Sequence, residues 1–322
     1  MKAVVQDTYG TADVLHLADI DTPAIGDDHV LLRVLAASAF IGDWHIMTGL
    51  PLVFRMVSGV RAPKGRVRGQ DVAGRVEAVG KDVTRFRQGD EVFGTCNGAF
   101  AEYATARADK VAPKPVNLSF EQAATVPITG TTALQALRNV GRVQPGQKVL
   151  IIGAAGGVGS FAVQIAKAFG VHVTGVCSTK QIDLVRSIGA DDVIDYTRDD
   201  FAEMAQRYDL ILDIAGARSL SHLRRALAPQ GTLVIVGGEG GGRWFGGIDR
   251  QLRAHMLSPF VSQKLGTFVS KENGEDLIVL KELIEAGKVT PVIDRTYPLN
   301  EVPEAIRHVE EGHARGKVVI TV

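Results

Sequence analysis

The stretch Lys148-Val-Leu-Ile-Ile-Gly-Ala-Ala-Gly-Gly-Val-Gly-Ser-Phe-Ala-Val-Gln-Ile-Ala-Lys-Ala-Phe-Gly170 leaves this chain few folds to choose from. Val149–Ile152 is a short apolar run of the kind that makes a buried parallel strand. Small residues fill Gly153 to Gly159. Phe161, Ile165, Ala168 and Phe169 then recur with helical spacing, and Gly170 supplies the stop. Strand, glycine turn and helix in that order make a dinucleotide-binding unit. The helix N-terminus leaves backbone N–H groups unpaired and carries positive dipole charge, which suits a pyrophosphate. Gly156 lets the backbone approach phosphates, and Gly159 lets the helix pack on the strand. Ala154 departs from the usual G-x-G-x-x-G pattern, standing where the first glycine is expected. Such a turn can also be a simple tight connection, so its context decides.

With 322 residues, 45% of them hydrophobic and 22% charged, the chain can build two domains with real cores. Residues 1 to about 122 read as short strands and turns. Val30–Leu35 alternates loosely, Asp71–Gly80 is an apolar strand bent by two glycines, and Ala99–Ala104 alternates cleanly. Ser119 opens a helix as N-cap with Gln122 reaching back, and Thr131 to Val140 reads as a second helix. Strand candidates Val149–Ile152, Val171–Val176, Asp192–Ile194, Leu210–Asp213 and Thr232–Val236 then alternate with helical stretches. That alternation means a parallel sheet covered on both faces. Glu275–Ala286 is helical, Asn300 caps another helix, and Lys317–Val322 is a strand that rejoins the first half. The expectation is an α/β chain. A Rossmann doubly wound parallel sheet occupies 123–262, and a β-rich, partly open barrel is made from 1–122 and 263–322.

In this kind of sheet an acid at the end of the second strand usually binds the adenosine ribose hydroxyls. Here the strand ends Val176-Cys-Ser-Thr-Lys180, with two hydroxyls and a cation. Ser178, Thr179 and Lys180 suit a 2′-phosphate, and Tyr196 adds a phenol donor. NADPH is expected over NADH. A plainer arrangement is compatible, with Ser178 capping the next helix and Lys180 in solvent.

Seven segments carry a resemblance that covers essentially the whole chain. They are Gly69–Gly80, Phe86–Gly94, Gly98–Tyr103, Ala124–Ala133, Ala154–Gly159, Leu184–Tyr196 and Gly316–Ile320. Together they resemble the medium-chain dehydrogenase/reductase superfamily, and within it the zinc-lacking quinone oxidoreductase branch. The resemblance implies a GroES-like β domain beside the Rossmann domain. Zinc-dependent relatives carry a ligating cysteine in the segment matching Ala39–Asp43, a histidine where this chain has Gln70, and a third ligand near Pro127 or Ile128. None of these positions offers a thiolate or an imidazole here, and a zinc site needs about three or four such ligands. The four-cysteine structural lobe is also missing. No metal is expected.

Without a Lewis acid, hydride addition to a quinone or an activated C=C is easier than alcohol oxidation. The expected activity is reduction of a small lipophilic quinone, enone or enal. A metal-free NADP-dependent alcohol dehydrogenase or carbonyl reductase is an alternative, as is a non-catalytic NADPH-binding protein that touches RNA. The glycine turn offers Ala155, Gly156, Gly157 and Val158 to the pyrophosphate. The resemblance places Phe40, Ile41 and Asp43 beside the nicotinamide, Thr132 near its ribose and carboxamide, Val236 and Gly238 at the fifth strand end, and Lys317 close to the cofactor. Asp43 and His45 are the candidate proton donors, although Asp43 equally reads as an acid that fixes its loop. Phe40 and Trp44 shape an apolar wall.

Arg61-Ala-Pro-Lys-Gly-Arg-Val-Arg68 carries four cations in eight residues. It reads first as a solvated loop, and nucleic acid as an unlikely partner, because aromatic interleaving is absent. Net charge is zero, no run approaches a membrane span, and the N-terminus has no signal-peptide pattern. The two cysteines, Cys96 and Cys177, fit a reducing cytoplasm. No membrane partner is expected. Pro259–Ser262 and Thr267–Ser270 read as apolar edge strands, and their symmetric pairing predicts a homodimer.

Overall fold

Alternating apolar residues turn the first third of the chain into strands. They are β1 (Lys2–Val5), β2 (His16–Asp19), β3 (His29–Ala39), β4 (Asp71–Val79), β5 (Glu91–Thr95), β6 (Tyr103–Arg107) and β7 (Val111–Pro113). With them come the helices α1 (Ile41–Thr48), α2 (Arg55–Ser58), α3 (Phe120–Ala124) and α4 (Pro127–Gln135). The middle of the chain runs β8 (Lys148–Ile152), α5 (Gly157–Ala168), β9 (His172–Cys177), α6 (Ile182–Ser187) and β10 (Asp192–Asp195). It continues with β11 (Tyr208–Asp213), α7 (Leu220–Ala226), β12 (Leu227–Ile235), α8 (Ile248–Leu257) and β13 (Lys264–Thr267). The tail is α9 (Gly274–Glu285), β14 (Ile293–Pro298), α10 (Val302–Glu310) and β15 (Lys317–Thr321). This computed structural model describes residues 1–237, 242–312 and 314–322, with Val57 described by its backbone alone.

The chain divides into two units, one of residues 1–131, 272–286 and 291–322, the other of 132–271 and 287–290. The expected boundaries, after 122 and after 262, both fall too early. Residues 123–131 stay with the barrel unit, where the Ile128 N–H donates to Asp71. β13 pairs with β12 and so belongs to the parallel sheet. Its one buried aliphatic side chain, Leu265, gives no apolar run to read. For the same reason the edge strands expected at Pro259–Ser262 and Thr267–Ser270 are misplaced. Ser258–Phe260 is a 3-10 turn, and the edge strand Lys264–Thr267 starts after the first stretch and meets the second only at Thr267.

In the barrel unit one sheet runs β14-β15-β3-β4-β5-β7, with β6 also paired to β3. Its end strands β14 and β7 do not pair, so the barrel stays open. The ladder between β3 and β4 shifts register twice, at Leu31/Leu32 and at Val34/Ala36. Such bulges bend a sheet, as Gly74 within β4 and Gly80 just after it led one to expect. β15 returns antiparallel to β3. Inside lies a core that includes Leu32, Val34, Val72, Val76, Phe100 and Ile320. The Ser119–Gln122 capping box forms as expected. Asn300 does not cap a helix, because a 3-10 turn spans Leu299–Glu301 and α10 starts after it.

In the second unit the sheet order is β10-β9-β8-β11-β12-β13, and every pair is parallel. Counting from β8, that is strand order 3-2-1-4-5-6, the doubly wound arrangement. The order reverses between β8 and β11. The carboxyl ends of strands at that reversal are where such sheets bind ligands.

Candidate active site

The turn after β8 is built for close approach. Gly153 takes φ +88°, a left-handed conformation that side chains resist, so the tight turn is made one residue before the position where Ala154 replaces glycine. Gly156 stands at the N-cap of α5, and Ala155, Gly156, Gly157 and Val158 lead into its first turn. A Cβ on Gly159 would clash with the Gly153 carbonyl oxygen and lie 2.9 Å from the backbone of Ala154, so only glycine lets α5 sit on this strand. At Gly156 the nearest atom to such a Cβ is 3.6 Å away, leaving the outer side of the turn open. The first N–H groups of α5 have no partner within the helix. Turn and helix end together fit a pyrophosphate.

The end of the second strand joins the expected residues. The Tyr196 N–H donates to the Cys177 carbonyl, 3.1 Å, which sets Tyr196 beside Ser178. Ser178 is partly exposed, Lys180 is exposed, and the Tyr196 side chain is half exposed. Ser178 makes no side-chain cap to the following turn, so its hydroxyl is not spent there. Thr179 is different. Its hydroxyl donates to the Asp195 carboxylate and lies 3.1 Å from the Thr197 hydroxyl. Asp195 also takes the Thr197 N–H at 3.0 Å and its hydroxyl at 2.7 Å. These bonds, Thr179 foremost, hold the Asp195 carboxyl below the usual range. Thr179 is thus a partner of Asp195, an acid brought in from the neighbouring strand that strand-end reading missed. Cys177 is buried, which pushes its thiol up to about 11.

Val236 follows β12 and donates its N–H to the Asp213 backbone carbonyl, 3.0 Å. Gly238 lies outside the described residues. The Thr132 hydroxyl donates to the Ser270 hydroxyl, 3.0 Å. Asp213 and Arg250 form a buried ion pair at 2.6 Å. Arg250 also donates to the carbonyls of Arg218 (2.8 Å) and Gly237 (3.3 Å), tying α8 to two strand-end loops.

In the barrel unit, the Asp43 carboxylate accepts the Phe40 N–H at 3.1 Å and closes the first turn of α1. Asp43 is only 3% exposed. Burial, with Asp71 adding to it, pushes its carboxyl up to about 7 against the pull of the Phe40 N–H, Lys317 and Arg68. Of the two roles left open for Asp43, the geometry supports the one that fixes the loop. His45 donates Nδ1–H to the Leu50 carbonyl at 2.7 Å, and its ring stacks on Phe54. Phe40 and Ile41 are partly exposed. Trp44 packs against the barrel core, and its indole N–H is buried without an acceptor. A polar cavity of about 300 Å³ lined by Gln70, Thr95, Cys96, Asn97, Lys110 and Glu272, among others, includes none of the expected site residues.

Comparison with known proteins places these features. Residues 26–116 match the alcohol dehydrogenase GroES-like domain, and residues 188–320 match the zinc-binding dehydrogenase model. A mitochondrial NAD(P)H oxidoreductase of Mus musculus is 36% identical over 100% of this chain and 89% of its own length. The chain belongs to the medium-chain dehydrogenase/reductase superfamily. An NADPH-dependent alkenal/one oxidoreductase of Arabidopsis thaliana chloroplasts is 34% identical over 99% of this chain and 79% of its own. The quinone oxidoreductase structure from Coxiella burnetii superposes with a TM-score of 0.86 at 30% identity, covering 100% and 99% of the two chains.

In this member of the superfamily the barrel unit holds a buried ion pair. Asp71 is fully buried and takes three donors: Ser38 Oγ at 2.8 Å, Lys317 Nζ at 3.1 Å and the Ile128 N–H at 2.9 Å. Lys317 is 2% exposed and lies 5.3 Å from the centre of the Phe40 ring. It is the buried counter-ion of Asp71. No group of three or more His, Cys, Asp or Glu side chains converges among the described residues. The basic loop is partly spent within the unit. Arg66 is paired with Asp7, and Arg68 is buried and donates to the carbonyls of Gly65 and Lys64.

Proposed function

We propose that this protein is an NADPH-dependent oxidoreductase that reduces quinones and α,β-unsaturated carbonyls. The observation that carries the cofactor reading is the joining of Ser178, Lys180 and Tyr196 at the end of β9, beyond the glycine turn of α5. When bound, NADPH supplies a hydride, which adds to the β-carbon of an enone while a proton is taken up at the α-carbon, leaving NADP⁺ and the saturated carbonyl. The chain's own work is placement. The N-terminus of α5 holds the pyrophosphate, and Ser178, Lys180 and Tyr196 hold the 2′-phosphate by charge-assisted bonds. Asp43 keeps the Phe40–Ile41 segment in register by holding the Phe40 N–H. Asp43 is too buried to hand its proton to substrate, so we assign protonation to His45 or to water.

The reaction proceeds without a metal in this reading. Its support is the Lys317 ammonium, which already neutralises Asp71. The chain pairs as a homodimer along β13, the edge strand of the parallel sheet, because an unpaired edge recruits a partner. Both cysteines are free and buried, which supports a reducing, cytoplasmic location.

The test is NADPH oxidation by the purified protein with a panel of enones and quinones, saturated ketones serving as the control. Turnover of the first two classes and not the third is expected. Tight NADPH binding with no turnover of either class contradicts the reading.

A further inference from the structure

Five large apolar side chains cluster in sequence around α8 of the sheet unit: Trp244, Phe245, Leu252, Met256 and Phe260 are each 60% to 84% exposed. The helix has two distinct sides. Ala254 is buried and, with Leu257, joins the core around Leu265, and Arg250 turns inward to Asp213. Leu252 and Met256, four residues apart, share the outward side. Trp244 and Phe245 lie in the turn before the helix, and Phe260 in the turn after it. Arg243 and Arg253 add exposed cations, Arg253 lying 3.5 Å from Asp249, the one acid among the described residues of this stretch. The chain as a whole has no net charge, so this excess is local.

We propose that the outward side of α8, with Trp244 and Phe245 at one end and Phe260 at the other, adsorbs to an anionic phospholipid surface. An amphipathic helix with aromatic and aliphatic residues on one side and cations beside them lies in the plane of a bilayer interface. Trp is favoured at that depth, and each Lys or Arg gains from anionic headgroups. A second copy of this chain is a poorer occupant. A two-fold contact through this side sets the same residues against themselves, bringing Arg243 and Arg253 towards their own copies. The adsorption needs no membrane-spanning helix, and no helix among the described residues is long and apolar enough to be one. Pairing along the β13 edge is a separate contact, read by mass rather than by lipid binding.

The experiment is flotation of the full-length protein with vesicles of phosphatidylcholine alone and of phosphatidylcholine mixed with phosphatidylglycerol, at low and high salt. The wild type is expected to float with the anionic vesicles and at least ten-fold less with the neutral ones. Trp244 emission should move to shorter wavelength on binding. The double substitution Leu252→Glu, Met256→Glu should lose flotation while NADPH affinity, the check on folding, is unchanged. Arg253→Glu should weaken only the anionic arm. Failure of the wild type to float with anionic vesicles at low salt overturns the proposal. So does undiminished flotation of a folded double variant. A double variant whose mass by light scattering halves, with the wild type ignoring vesicles, identifies the surface as a contact between copies instead.

Discussion

Lys317 Nζ and Asp71 Oδ2 lie 3.1 Å apart with both side chains buried, joining the first residue of β15 to the first residue of β4. Removing one partner of such a pair leaves a buried charge uncompensated, at a cost of about 3–5 kcal/mol. Lys317→Met should therefore destabilise the protein by that order in urea unfolding. Lys317→Met combined with Asp71→Asn should cost clearly less than the two single changes added together. Strict additivity would show that the pair is not coupled as the geometry requires.

Asp43 gives stability a pH dependence of known sign. Its carboxyl is raised to about 7 in the folded chain, against an unfolded value of about 3.9. The folded state thus binds the proton more tightly. This contribution is complete below about pH 4 and is lost as pH rises towards about 7, by roughly 4 kcal/mol in total. Asn at this position can still accept the Phe40 N–H but carries no titrating group. The stability difference between Asp43→Asn and wild type should move in the variant's favour across that window. Parallel unfolding curves from acid to neutral pH would refute the shift.

The two glycines of the dinucleotide turn should fail differently. Gly159→Ala forces a methyl against the Gly153 carbonyl, so it should destabilise the fold by about 1–3 kcal/mol even without cofactor. Gly156→Ala has room for its methyl within the protein. Its melting temperature should stay near wild type while NADPH binds at least ten-fold more weakly. Calorimetric melting and binding titrations on both variants separate the two effects.

The sequence carried the sheet because its signals are local. Val149–Ile152, the glycine turn and the Phe161–Phe169 spacing lie within one short stretch, and each is recovered in β8 and α5. The site was legible only in part, because its pairings are distant. Asp71 and Lys317 are 246 residues apart, and nothing local marks either as the other's counter-ion. Asp195 meets Thr179 only because β9 and β10 are neighbours in register, with Cys177 opposite Asp195. A reader who paired those strands on paper could have found it. The boundary at 271 was hidden by β13, a sheet strand with almost no apolar run.

In the proposed reading, cofactor preference rests on Ser178, Lys180 and Tyr196. A charge-assisted hydrogen bond contributes about 1.5–3 kcal/mol, and about 1.4 kcal/mol is ten-fold in affinity. One such bond to a 2′-phosphate gives NADPH at least a ten-fold advantage in kcat/KM. Ser178→Asp should lower the NADPH to NADH ratio by at least that factor, since a carboxylate repels the phosphate. An unchanged ratio would mean that this strand end does not read the 2′ position.

The reaction itself is tested most directly by following the hydride. The protein is given NADPH deuterated at the transferable C4 position and an enone, and the product is analysed by mass spectrometry and NMR. The account predicts a saturated ketone with deuterium at the former β-carbon. An allylic alcohol with deuterium on the carbinol carbon would contradict it and make the protein a carbonyl reductase.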